Sequence, residues 1–255
     1  MLEIDTKRVT EAIVAFLKSS FEKAGFSKAL IALSGGVDSA TSAALAVRAL
    51  GKESIFPLLL PYGSLNPQGG RDAKKVIEAF HIPQTNTTEI DIKPLVDSLL
   101  ALDHSIDNIR RGNIMARVRM TVLFDQAKKR QALVVGTENK SEHILGYFTR
   151  FGDSASDIEP LRNLYKTQVY QLANYLSIPQ TIVEKAPTAG LWEGQTDEGE
   201  FGFTYKEADE ILFQLYDEKK TIDQIVASGV DRTVVEKVQS WVYSHSFKHN
   251  LPIIP

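Results

Sequence analysis

The stretch Lys28-Ala29-Leu30-Ile31-Ala32-Leu33-Ser34-Gly35-Gly36-Val37-Asp38-Ser39 decides how the chain is read. Its first half is an apolar run of strand length, and its second half is a tight turn rich in serine and glycine. Behind it, Ser39 to Leu50 is Ala-rich, predicts a helix and stops at Gly51. Strand, turn and helix in that order make a phosphate-binding start. Two glycines let the backbone approach an anion, Ser34 and Ser39 offer hydroxyls, and the N-terminal N–H groups of the helix face the turn. Asp38 has the wrong sign to touch a phosphate, so it is assigned to magnesium held jointly with phosphate oxygens. No Gly-Lys-Ser/Thr follows, as a Walker sequence requires, and the third glycine of the dinucleotide fingerprint is missing.

Working outward, the apolar run Ser54 to Leu60 ends in Pro61, a helix is expected from about Asn66 to Phe80, and Thr87 to Ile92 reads as a third strand. Lys93 to Lys129 keeps helical periodicity with little punctuation apart from Gly112, and Ala132 to Thr137 is the next strand. In front of the turn, Val9, Ile13, Phe16, Leu17 and Phe21 recur at helical spacing. The alternation predicts an α/β fold, doubly wound, with a mostly parallel sheet and helices on both faces. Ser34, Tyr62 and Thr137 lie just past apolar runs, at the strand ends where such sheets bind ligands. Arg150 to Asp157 and Pro187 to Gly202 read as loops able to act as lids, and Tyr205 to Tyr243 as two or three short helices. A single domain over 1–255 is expected, with a core at about 25–180 and the loops and small helical C-terminal part at about 187–255.

Composition removes several function classes. The 255 residues are 43% hydrophobic and 24% charged, and the longest apolar run, Ile55 to Pro61, is far too short to span a bilayer. The start, Met1-Leu2-Glu3-Ile4-Asp5, has no basic-then-apolar leader, so a cytoplasmic protein is expected. Without cysteine there is no disulfide, cysteine-ligated cluster or cysteine nucleophile. A net charge of -3 gives no general attraction to nucleic acid; the basic run Lys128 to Arg130 reads as a solvated helix face.

The turn 34–39 resembles the pyrophosphate loop of the ATP pyrophosphatase superfamily. Gly112-Asn113-Ile114-Met115-Ala116-Arg117-Val118-Arg119-Met120, Gly136-Thr137-Glu138-Asn139-Lys140-Ser141-Glu142 and Gly146-Tyr147-Phe148-Thr149-Arg150-Phe151-Gly152-Asp153 are similar, in order, to successive signatures of the NAD synthetases. Pro160-Leu161 with Lys166, and Pro187-Thr188-Ala189, extend the resemblance across most of the chain. It implies an adenine nucleotide alpha hydrolase-like fold. It also implies an amide-forming ligase that adenylates the nicotinate carboxylate of deamido-NAD with ATP and displaces AMP with ammonia.

By the same resemblance ATP is held by Ser34, Gly35, Gly36, Val37, Asp38, Ser39, Thr137, Lys166 and Thr188, and magnesium by Asp38 and Glu142. Arg117, Arg150, Asp157 and Lys248 take the substrate, and Asp38, Lys166 and Asp153 serve catalysis. The enzyme is expected to be a homodimer. With no cysteine for a glutaminase site, ammonia is the expected nitrogen source. Two positions depart from the family: Arg150 stands where many relatives have lysine, and Phe247-Lys248 where many have His-Lys. The competing readings are a GMP synthetase-like core, a thiolating tRNA enzyme, and a nucleotide-binding module without turnover. Asp38, Glu142 and Lys166 occurring together argue against the last.

Overall fold

The computed structural model describes residues 2–249. The chain runs α1 (Thr6–Ala24), β1 (Ala29–Ala32), α2 (Val37–Leu50), β2 (Ile55–Leu59), α3 (Pro67–Ala79), β3 (Thr88–Glu89), α4 (Lys93–Leu100), α5 (Asn108–Arg130), β4 (Leu133–Val134), α6 (Lys140–Leu145), α7 (Lys166–Tyr175), α8 (Gln180–Val183), α9 (Asp197–Phe201), α10 (Tyr205–Leu212), α11 (Ile222–Ala227) and α12 (Arg232–His245). The strands form one sheet in the order β3-β2-β1-β4, and every pairing is parallel. Ala29 of β1 lies opposite Ile55 of β2 on one side and Leu133 of β4 on the other.

Successive strand residues point to opposite faces, and β1 shows the consequence. Ile31 packs with Leu17 and Phe21 of α1, the alanines of α2, Val76 and Ile77 of α3, and Leu172 of α7. Leu30 packs on the other face with Val96 of α4, Met115 and Leu123 of α5, and Val134 of β4. Both faces are covered, which explains why the strands read as unbroken apolar runs instead of alternating ones. A third apolar cluster joins α6 to α10, α11 and α12 through Leu145, Tyr205, Ile211, Leu212, Ile225, Val235 and Val238. The C-terminal helices are therefore packed against the element that follows β4.

Three sequence expectations are corrected. The third strand is shorter than Thr87 to Ile92: only Thr88 and Glu89 pair as strand, although Ile90 and Ile92 still donate to the carbonyls of Leu59 and Pro61. The segment Lys93 to Lys129 is two helices, not one. Asp103 accepts from the backbone N–H and hydroxyl of Ser105, and Asp107 caps α5 by accepting from Arg110 N–H. Aspartates that bond local backbone groups break a helix as effectively as glycine does, without changing the apolar spacing. Pro187 to Gly202, read as a loop, also contains α9, with Thr196 as its N-cap.

Candidate active site

From β1 the chain steps outward to β2 and β3 and then crosses back over to β4 on the other side of β1, so the crevice between the carboxyl ends of β1 and β4 is the topological switch point. Two turns meet there: residues 34–39, between β1 and α2, and residues 135–139, between β4 and α6.

The first turn is a preformed cradle. Ser34 and Ser39 hydroxyls lie 3.1 Å apart, Ser39 Oγ donates to Gly36 O at 3.1 Å, and Gly36 N–H donates to Ser34 Oγ at 3.2 Å. Gly36 caps α2 without any side-chain hydrogen bond, so the helix presents its first N–H groups to the crevice. Gly35 has φ +78°, and a Cβ there would lie 2.2 Å from Gly69 O at the start of α3. Only glycine fits that seat. Beneath it, Lys185 Nζ donates to Gly35 O at 2.6 Å and to Asp72 at 3.0 Å, tying the turn to the segment that precedes Pro187.

The second turn supplies the opposing carboxylate. Asn139, fully buried, caps α6 by accepting from Glu142 N–H at 2.9 Å, while its Nδ2 donates to Asp38 Oδ1 at 2.9 Å. One amide thereby fixes both acids. Lys166, 3% exposed, completes the group: its Nζ lies 2.5 Å from Asp38 Oδ2 and 3.1 Å from Glu142 Oε1. It opens α7, whose first N–H groups are held by Ser141 Oγ at 2.8 Å and Asp209 Oδ2 at 2.8 Å, so α10 helps to place this lysine.

Burial pushes the Glu142 carboxyl upward, with Asp38 and Asp197 acting in the same direction and Lys166 opposing them. Burial works against the Lys166 charge, but Asp38 and Glu142 outweigh it and hold the ammonium charged. Asp197, almost fully buried and raised chiefly by burial, accepts from Tyr147 OH at 3.1 Å, and the Tyr205 ring lies 5.0 Å from Lys166 Nζ.

The oxygens of Asp38 and Glu142 that the lysine now bridges suit a hard divalent cation, and the ammonium marks a point both can reach. Among the described residues no cluster of three or more acidic or histidine side chains forms a complete cage. A cation here must take its remaining ligands from phosphate or water, as the sequence anticipates for Asp38.

Three of the residues assigned to substrate, Arg117, Arg150 and Lys248, meet along the segment that follows α6. Arg117 Nε donates to Arg150 O at 3.2 Å, and Lys248 Nζ donates to Gly146 O at 2.6 Å and Phe148 O at 2.9 Å. The Arg150 guanidinium lies 5.9 Å from the Phe151 ring and 5.4 Å from Phe247, and both rings are more than half exposed.

Other assigned residues are not brought to the centre. Asp153 accepts from Thr149 N–H at 2.9 Å and has no hydrogen bond or ion pair to Asp38, Lys166 or Glu142, so its visible work is to hold the 149–153 turn. Asp157 accepts from Val134 N–H at 2.7 Å and faces a cleft shared with Phe16, Ser20 and Lys23 of α1. The Thr188 hydroxyl donates to Gln195 O at 2.7 Å and is occupied within its own loop. The strand expected over Ala132 to Thr137 forms only at Leu133 and Val134, and Thr137 lies half-buried three residues beyond it.

Sequence reasoning passes over Asn139, Lys185, Asp72 and Asp197. Asn139 is within its reach, since Asn-x-x-Glu after an apolar run is a capping-box pattern. Lys185 and Asp72 are separated by more than a hundred residues, and no local pattern joins them.

The family model described as NAD synthase matches residues 9–252. The NH(3)-dependent NAD(+) synthetase of Fusobacterium nucleatum is 44% identical over 253 residues, covering 99% of this chain and 97% of that protein. The solved NMN synthetase of Francisella tularensis superposes with a TM-score of 0.87 at 37% identity, covering 99% of both chains. The NH3-dependent NAD synthetase of Campylobacter jejuni, solved in complex with nitrate, gives a TM-score of 0.83 at 29% identity over 99% of this chain and 100% of that one.

Proposed function

The chain belongs to the NAD synthase family, and from that premise we propose how its residues divide the work of ATP-dependent amidation. The enzyme converts deamido-NAD to NAD with ammonia. The carboxylate oxygen attacks the α-phosphorus of ATP and pyrophosphate leaves; ammonia then adds to the acyl carbon, AMP leaves with the carboxylate oxygen, and the nitrogen loses a proton. The observation that carries the assignment of roles is the meeting of Asp38, Lys166 and Glu142 in the crevice between β1 and β4, beside the uncapped start of α2.

The 34–39 turn and the first N–H groups of α2 cradle the departing pyrophosphate, and Lys166 supplies a positive charge against the negative charge that builds there. Asp38 and Glu142 are the protein ligands of magnesium, which when bound neutralises phosphate charge and polarises the phosphorus centre. Arg117, Arg150 and Lys248 meet the anionic groups of the pyridine nucleotide, with Phe247 and Phe151 flanking Arg150. The 187–202 segment, preceded by Lys185 on the Gly35 carbonyl and tied through buried Asp197 to Tyr147 and Tyr205, is the part of the chain assigned to keep water from the adenylate. A homodimer accounts for the exposed Leu95, Leu99 and Leu102 along and just beyond α4 and for Ile109 at the start of α5.

The likeness to the Francisella protein supports a second substrate reading, amidation of the deamidated mononucleotide. One experiment separates the two. Pyrophosphate release from ATP and magnesium is measured with deamido-NAD, with nicotinate mononucleotide and with neither, each with ammonium or glutamine as nitrogen source. Release that requires deamido-NAD, with amide formed from ammonium and not from glutamine, is the expected result. A higher kcat/KM for the mononucleotide transfers the assignment to that substrate. Nucleotide binding without turnover on either would overturn both.

A further inference from the structure

We infer that Lys166 is the built-in cation of the nucleotide-free enzyme, and that the divalent-cation site opens only when a triphosphate draws its ammonium off Asp38 and Glu142. The inference rests on the nucleotide and cation roles proposed above and adds an order of events to them.

Lys166 Nζ sits 2.5 Å from Asp38 Oδ2 and 3.1 Å from Glu142 Oε1, with only 3% of the side chain exposed. It occupies the point at which those two oxygens converge. Asp38 Oδ1 is already engaged by Asn139 Nδ2. A divalent ion entering this arrangement would have to bind within a few ångströms of a buried positive charge, in a region of low dielectric where repulsion is strongly felt. It would also find few free protein oxygens, although magnesium wants six ligands and parts with its water reluctantly. Lysine and divalent cation are therefore alternative occupants of one site.

The lysine is equipped to change partners. Its backbone N–H is fixed by Ser141 Oγ at 2.8 Å, and α7 is further held through Asp209, so the root of the side chain stays in place and a change of partner needs only rotation within its four-carbon stem. The pyrophosphate cradle is adjacent, because Asp38 itself belongs to the first turn of α2. A triphosphate seated on the 34–39 turn gives the ammonium a more highly charged partner and at the same time brings the oxygens the metal lacks. Until then the two acids are neutralised from within. The metal consequently arrives with the nucleotide and not before it, and one charge serves in turn as guard of the cation site and as neutraliser of the pyrophosphate.

The test is binding of Mn2+, followed by electron paramagnetic resonance of the free ion and by the thermal midpoint of the full chain. It compares wild type alone, wild type with the ATP analogue methylene-bridged between its α- and β-phosphorus atoms, Lys166→Met alone, and Lys166→Met/Glu142→Gln. Wild type alone is expected to show no Mn2+-dependent rise in midpoint, and wild type with the analogue a clear one. Lys166→Met should bind Mn2+ without nucleotide about tenfold or more tighter than wild type, and the double variant should lose that gain.

Mn2+ binding to nucleotide-free wild type as tight as to Lys166→Met, or a gain that survives in the double variant, would overturn the inference. If Lys166→Met fails to fold, the two wild-type midpoints decide it alone: stabilisation by Mn2+ that does not depend on the analogue overturns it. Absence of Mn2+ binding to wild type even with the analogue overturns the underlying cation assignment, and this inference with it.

Discussion

The nucleotide side and the acyl side of the site are built to different standards. On the nucleotide side the charged groups are paired within the protein, Asp38 by Asn139 and Lys166, Glu142 by Lys166 and its own cap, with Gly35 O held by Lys185, and the first N–H groups of α2 are left open. On the acyl side Arg117 is exposed, and Phe151 and Phe247 stand open to solvent around the Arg150 guanidinium. The first half is internally paired, so a triphosphate in the proposed role meets a fixed backbone turn and has only the Lys166 ammonium to draw from its partners. The second is finished by the ligand itself, or by a second copy of the chain. The difference suggests that the nucleotide half fails steeply when altered and the acyl half gradually.

The largest effect should come from Gly35→Ala. The new Cβ would sit 2.2 Å from Gly69 O and 2.9 Å from two further backbone atoms, at φ +78°. Backbone on the far side cannot swing aside as a side chain can, so the cradle must distort. We expect ATP-dependent pyrophosphate release to fall by about 10²- to 10³-fold, the scale of losing oriented donors, with a lowered thermal midpoint. An unchanged KM for ATP would show that the cradle is less rigid than its contacts indicate.

Phe247→Ala examines the open half. Loss of an exposed ring beside a guanidinium amounts to about 0.5–1 kcal/mol, or roughly two- to fivefold. It should appear as a raised KM for the pyridine nucleotide with KM for ATP untouched. A drop in kcat of a hundredfold would instead place Phe247 at the reacting atoms and erase the contrast.

An effect on stability and not on turnover concerns Glu159, packed beneath Gly136 beyond β4. Burial pushes its carboxyl up to about 7 from the ordinary 4.5, against hydrogen bonds from Ser156 and from Glu138 N–H. A carboxyl raised in the folded state binds more protons folded than unfolded between those two values, so its contribution to stability is lost as pH rises from 4.5 toward 7. Glu159→Gln keeps an acceptor oxygen without the charge. Its thermal midpoint should gain on wild type across that window by up to about 10 °C, at about 2–4 °C per kcal/mol for a chain of this size. Equal differences at about pH 5 and about pH 8 would show that Glu159 is not strained by burial.

How much of the fold and the site is legible in the sequence depends on how far along the chain each signal reaches. The 28–39 run carries its own strand, turn and helix, and the Gly136 to Glu142 run carries its own strand end and cap, so each takes its place at the sheet edge from its own residues. The break at Asp103 to Asp107 escapes a reading by periodicity because it is made by side chains bonding their neighbours' backbone, which leaves the apolar period intact. The shortening of β3 reflects its position at the sheet edge, where only one neighbour enforces pairing.

The sequence alone therefore determined the parallel α/β architecture, the glycine turn between the first strand and its helix, and the family, because these rest on apolar periodicity and on motifs contained within about ten residues. Only the tertiary structure decided which charges neutralise one another. Asp38 and Lys166 are 128 residues apart and Lys185 and Gly35 150 apart, and it is the burial of their meeting places that makes those pairs matter. Burial is a property of the packed molecule, set by both faces of the sheet and the C-terminal helices together. No run of residues states that Lys166 closes on the acids assigned to the metal, or that Thr188 has spent its hydroxyl on Gln195.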